Sequence, residues 1–96
     1  MKPAEALAAN RSELRLIVAR HGVLRPRVFG SVLKEADTDG SDLDLLVEPT
    51  ESTTLLTLAA LQLEAEALLG VPVSVLTPNA LPGQFRAEVL AEARPL

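Results

Sequence analysis

The sequence contains no cysteine, no tryptophan and no tyrosine, and only two phenylalanines. Without cysteine it can form neither a disulfide nor a thiolate metal site, and nothing in it suggests secretion. With so few aromatic rings it offers no stacking platform for bases, so the base of any nucleotide would have to be held by aliphatic surface and backbone or by a partner protein. It also lacks an excess of positive charge. Nine Lys and Arg face 13 Asp and Glu, for a formal net charge of −4. That balance argues against general nucleic-acid binding, which rests on lysine and arginine neutralising phosphates. No apolar run approaches the roughly 20 residues of a membrane span. The opening Met1-Lys2-Pro3-Ala4-Glu5 lacks the apolar stretch of a signal peptide. A cytoplasmic protein with no membrane association is expected.

What remains is an ordinary globular composition, 48% hydrophobic and 23% charged over 96 residues. That length suits one domain, residues 1–96, with no room for a second core. Pro3 to about Arg20 reads as a helix, with Pro3 in the first turn and Leu7, Leu14, Ile17, Val18 and His21 on one stripe. Asn10-Arg11-Ser12 is a candidate break, with Ser12 capping the second piece, and Gly22 ends the helix. Arg25 to Phe29 reads as a short strand restricted by Pro26. Ser31 to Glu35 reads as a short helix and Ala36 to Ser41 as a polar turn. Leu43 to Glu48 is the second strand, closed by Pro49. A long helix starts at Ser52 or Thr53 and runs to about Leu69, with Leu55, Leu58, Ala59, Gln62, Leu63, Glu66 and Leu69 near one stripe and Gly70 as terminator. Val73 to Thr77 is a third strand, Pro78 to Gly83 a loop, and Gln84 to Ala93 a last amphipathic helix. The order α-β-β-α-β-α suits an α/β (α+β) fold, a small mixed β-sheet with helices packed against it.

The chemistry-bearing pattern is Gly30-Ser31 followed by Ser41-Asp42-Leu43-Asp44-Leu45-Leu46-Val47. Residues i and i+2 of a strand share a face, so Asp42 and Asp44 project together while Leu43 points away. Two carboxylates on one face repel unless a cation lies between them. Mg²⁺ suits such a pair, because it takes oxygen ligands and leaves positions for substrate phosphates. Glycine lets a phosphate approach the backbone closely, and serine adds a hydroxyl and an amide donor. Each half alone also describes an ordinary loop or strand entry with solvated carboxylates; it is the order of the two, each following an apolar strand, that points to a metal–nucleotide site.

The segment Val28-Phe29-Gly30-Ser31 … Gly40-Ser41-Asp42-Leu43-Asp44-Leu45-Leu46-Val47 resembles the signature of the polymerase-β-like nucleotidyltransferases. The short chain and its ending Gly70-Val71-Pro72-Val73-Ser74-Val75-Leu76-Thr77-Pro78-Asn79-Ala80-Leu81 resemble the minimal nucleotidyltransferase (MNT) subgroup. The resemblance implies that Asp42 and Asp44 hold Mg²⁺ and are catalytic, and that Gly30 and Ser31 hold the triphosphate of ATP or another nucleoside triphosphate. It implies transfer of AMP to a hydroxyl on a partner protein. The setting it implies is a toxin–antitoxin pair, with this chain as antitoxin of a helical HEPN-domain toxin.

Two positions depart from the family pattern. The third carboxylate, on the strand after the long helix, is replaced by Ser74, a neutral and poor Mg²⁺ ligand. Lys34-Glu35 stands where a basic residue and a glycine are usual, and Glu35 brings negative charge towards the expected phosphates. Glu48 shares the aspartate face but lies roughly 13 Å along the strand from Asp44, too far for a shared ion. Lys34 reads as a solvated lysine within reach of a phosphate, Asp37 and Asp39 as solvated turn residues, and His21 as a capping or surface histidine. Arg25 and Arg27 face either solvent or a triphosphate.

Three functions are compatible with these residues. The first is the protein adenylyltransferase. The second is a catalytically degenerate module of the same fold that neutralises its partner by contact, which Ser74 favours. The third, a transferase acting on a small molecule such as an antibiotic, lacks a second substrate pocket in so short a chain unless an oligomer builds one.

Overall fold

A computed structural model describes residues 1–96. The elements are α1 (Pro3–Arg20), β1 (Leu24–Phe29), β2 (Leu43–Glu48), α2 (Leu55–Leu69), β3 (Val73–Leu76), α3 (Gly83–Glu92) and β4 (Arg94–Pro95). Single 3₁₀ turns occupy Gly30–Val32 and Pro78–Ala80. The sheet order is β3-β2-β1-β4. β1 runs antiparallel to β2 and to β4, and β2 runs parallel to β3. The expected small mixed sheet with packed helices is what forms.

Alternation along β2 decides which face is which. Leu43, Leu45 and Val47 are fully buried and join Val28 and Val73 under the two long helices. From α1 come Ala6, Leu7, Leu14, Ile17 and Val18, and from α2 come Leu61, Ala65 and Leu69. Each fully buried leucine contributes roughly 1.5–3 kcal/mol. α1 is kinked at Asn10 (φ −132°, ψ 19°), whose side-chain amide donates to the Ala6 carbonyl at 2.9 Å. α2 begins at Leu55, because Thr54 caps it: the Thr54 hydroxyl accepts from the Thr57 N–H, and the Thr57 hydroxyl accepts from the Thr54 N–H.

Several sequence expectations need correction. The α2 core stripe is Leu61, Ala65 and Leu69, with Leu58 and Leu68 partly buried. Leu55 and Leu63, expected on that stripe, are 85% and 68% exposed. The segment after Gly30 is one 3₁₀ turn rather than a short helix, and Glu35 adopts a left-handed backbone (φ 54°). Asp37 is buried, and its carboxylate accepts from the Ala4 N–H at 3.0 Å, satisfying one of the free donors at the start of α1. α3 buries none of its residues in a core. β4, not anticipated, pairs with β1 through Arg27–Pro95 and Val28–Arg94.

Candidate functional site

The other face of the sheet carries Arg27 and Phe29 on β1, Asp42 just before β2, Asp44, Leu46 and Glu48 along it, and Ser74 and Leu76 on β3. Cross-strand register sets their neighbours. Asp44 stands opposite Phe29 on one side and Ser74 on the other; Leu46 stands opposite Arg27 and Leu76. The face is not uniformly solvated. Leu46 is fully buried and lies outside the main core cluster, while Asp42 is exposed and Asp44 half-buried.

Asp42 and Asp44 form no ion pair. The Asp44 carboxyl is held above its ordinary value of 3.8, first by burial and second by the charge of Asp42. An uncompensated carboxylate pair of this kind fits a divalent cation. No third His, Cys, Asp or Glu joins it, so such an ion would complete its shell with water and phosphate oxygens.

Gly30 ends β1 in a left-handed conformation (φ 79°). A Cβ built on Gly30 would overlap Asp44 Oδ2 and stand 3.2 Å from Asp44 Cγ. The loop backbone therefore abuts the carboxylate, and glycine is required both by φ and by space. Ser31 follows in the same turn and is partly exposed. All four residues singled out in the sequence thus meet at one end of the sheet. Gly30→Ala is expected to displace the Asp44 carboxylate and add about 1–2 kcal/mol of backbone strain. The Mg²⁺–nucleotide binding that the sequence leads one to expect, read by calorimetry, should fall at least tenfold while the circular dichroism spectrum is kept.

The remaining candidates sort clearly. Arg27 is buried and donates to Glu48 at 2.5 Å, so neither is free for a phosphate or a metal. Its Nε has no partner. Arg25 is exposed, on a left-handed backbone (φ 48°) in the irregular stretch where the β1–β2 register shifts. Lys34 is exposed, with Nζ 4.0 Å from Glu92 Oε2. His21 Nε2 lies 2.6 Å from Glu64, which also accepts from Arg20, so His21 ties α1 to α2. Asp39 is 84% exposed. The register places Ser74 beside Asp44, which is the position expected for a third carboxylate.

The family profile described as polymerase beta, nucleotidyltransferase, matches residues 14–96. The chain belongs to this family. A Methanocaldococcus jannaschii protein provisionally named a protein adenylyltransferase is 40% identical over 77 residues, spanning 80% of this chain and 83% of that protein. The Thermococcus cleftensis protein adenylyltransferase MntA is 36% identical over 86 residues, spanning 90% and 84%. A solved structure provisionally described as a minimal nucleotidyltransferase superposes with a TM-score of 0.86 at 46% identity, covering 98% of this chain and 96% of that one. A chain from a toxin–antitoxin crystal structure with AMP-PNP superposes with a TM-score of 0.76 at 14% identity, covering 90% and 71%, a likeness of fold. No helix of this nucleotidyltransferase-family chain is long and apolar enough to cross a membrane.

Proposed function

We propose that residues 1–96 act as one minimal nucleotidyltransferase domain that transfers AMP from ATP to a hydroxyl on a partner protein in the cytoplasm. The observation that carries this reading is the carboxylate pair, without a cationic partner and walled by a glycine that leaves no room for a side chain. In this reading Asp42 and Asp44 hold Mg²⁺, and the Gly30-Ser31 turn receives the triphosphate tail. A divalent cation held by these two carboxylates would supply positive charge to the transferring phosphoryl group. The acceptor oxygen bonds to the α-phosphorus as its proton passes to solvent, the bond from that phosphorus to the α–β bridging oxygen breaks, and pyrophosphate leaves. The protein's own share is positioning and charge complementarity. Two curated relatives named as protein adenylyltransferases support a protein acceptor.

The partner in this reading is a helical HEPN-type toxin, with the chain as its antitoxin. α2 supports a helix-on-helix contact. Leu55, Leu56 and Leu63 are 85%, 81% and 68% exposed. Leu56 and Leu63, with Ala59, Ala60 and Ala67, form an uncharged arc on the side of the helix away from its core stripe, and Glu66 separates Leu55 from it.

Label transfer from α-labelled ATP and Mg²⁺ in a lysate of the source cells tests the reading. A labelled protein band is expected with the natural chain and none with the Asp42→Asn/Asp44→Asn double variant. An identical band with both chains would overturn it. The second reading, a degenerate module that neutralises by contact, is favoured by one observation, Ser74 beside Asp44. It predicts no labelled band while the partner still co-purifies.

A further inference from the structure

The composition suggests no aromatic platform, yet the fold brings the two phenylalanines of the chain to one place. Phe29 and Phe85 line a cleft of about 240 Å³ together with Gly30, Lys34, Glu88, Val89 and Glu92. The α3 contributors are Phe85, Glu88, Val89 and Glu92, spaced i, i+3, i+4, i+7, so one helix face forms one wall. That face is not consumed by a core: Phe85 is 50% exposed and no α3 residue is buried. The helix is nonetheless anchored. Arg86 donates to the carbonyls of Pro78 and Leu81 at 2.9 and 3.0 Å, fixing the start of α3 against the preceding turn.

The cleft adjoins the carboxylates directly. Gly30 belongs to both, and Phe29 is the register partner of Asp44. Its chemistry is wrong for the phosphates themselves. Glu88 and Glu92 both line it, and its one cation, Lys34, faces Glu92. A flat, uncharged, partly apolar group with an exocyclic amine fits instead: the ring packs on Phe85, and the Glu88 carboxylate accepts from the amine. The volume is below the roughly 300–1,000 Å³ of sites that enclose a drug-sized ligand, which suits one part of a nucleotide.

We propose that the β1–α3 cleft is the nucleobase subsite, with Phe85 as the stacking surface for the adenine of the nucleotide whose phosphates lie at Gly30-Ser31. This rests on the nucleotide site proposed above. It makes α3 a specificity element rather than a packing helix.

The test is titration calorimetry of the full chain with Mg²⁺–ATP and with Mg²⁺–tripolyphosphate, which shares the phosphates and lacks the nucleoside. The natural chain is expected to bind ATP on the order of tenfold or more tightly than tripolyphosphate. Phe85→Ala should bring ATP down towards the tripolyphosphate affinity and leave tripolyphosphate unchanged. Phe85→Tyr, which keeps the ring, should keep the preference. Equal binding of the two ligands by the natural chain, or an ATP preference untouched by Phe85→Ala, overturns the base subsite and leaves the phosphate site standing. Failure of the natural chain to bind either ligand overturns the phosphate site as well. Because Phe85 is half-exposed and outside the core cluster, the variants should melt within a few degrees of the natural chain.

Discussion

Asp44→Asn is expected to lower nucleotidyl transfer by at least about 10²–10³-fold, the usual cost of losing one electrostatic contact to a transition state, and also to raise the melting temperature of the metal-free chain at neutral pH. The second effect follows from the direction of the Asp44 shift. In the unfolded chain its carboxyl ionises at the ordinary 3.8. In the folded chain burial, and then Asp42, hold the proton to higher pH. The folded state therefore binds more protons in the window above 3.8, and stability falls as pH rises through it. The penalty does not reverse at higher pH, so it is still present at pH 7. Asparagine carries no charge and escapes it. Melting curves from pH 4 to 7 without metal should show the variant gaining on the natural chain as pH rises. Mg²⁺ should raise the melting temperature of the natural chain and leave the variant where it was. A metal-free variant that melts below the natural chain at pH 7 would show that the carboxylate stabilises the fold instead.

This trade of stability for a charged site explains which parts of the molecule were legible in the sequence. The strand Leu43–Glu48 alternates except at Leu46, and that alternation assigns Leu43, Leu45 and Val47 to the core and Asp42 and Asp44 to the other face. The chain breaks local rules where the site lies, with two like charges entering a strand and a glycine in a left-handed turn before it. α2 carries less signal in its sequence for the opposite reason. Leucine or alanine occupies nearly every arc of the helix, so periodicity does not choose the buried one, and packing against Leu14, Ile17 and Val18 of α1 does. Long-range polar partners carry no local signal. The Asp37 cap on Ala4 and the Arg27–Glu48 pair depend on the path of the chain, which residue type does not encode. Phe29 and Phe85 likewise look like two isolated aromatics until the last helix folds back towards β1.

Ser74→Asp is the complementary prediction, a gain rather than a loss. β2 and β3 are parallel, and Asp44 and Ser74 are register partners, so their strands stand about 4.8 Å apart and their side chains share a face. An aspartate at 74 would meet the carboxylate of Asp44 without any change in backbone. With Mg²⁺ present, the added oxygen ligands should hold a cation on the acceptor side, and transfer should rise on the order of tenfold or more, since bringing a metal to the attacking oxygen is the half of the two-metal arrangement that serine supports poorly. Without metal, a third negative charge beside an already crowded pair should lower the melting temperature, and Mg²⁺ should restore it. Ser74→Asn, which adds the size and an oxygen but no charge, should do neither. Rate measurements with the three chains at fixed ATP, and melts with and without Mg²⁺, separate the alternatives. A rate gain confined to aspartate places the natural chain among enzymes slowed at one ligand. Metal-dependent stabilisation with no rate gain would mean that acceptor placement, not the second cation, is what the chain lacks, and contact with the partner would then be its main activity.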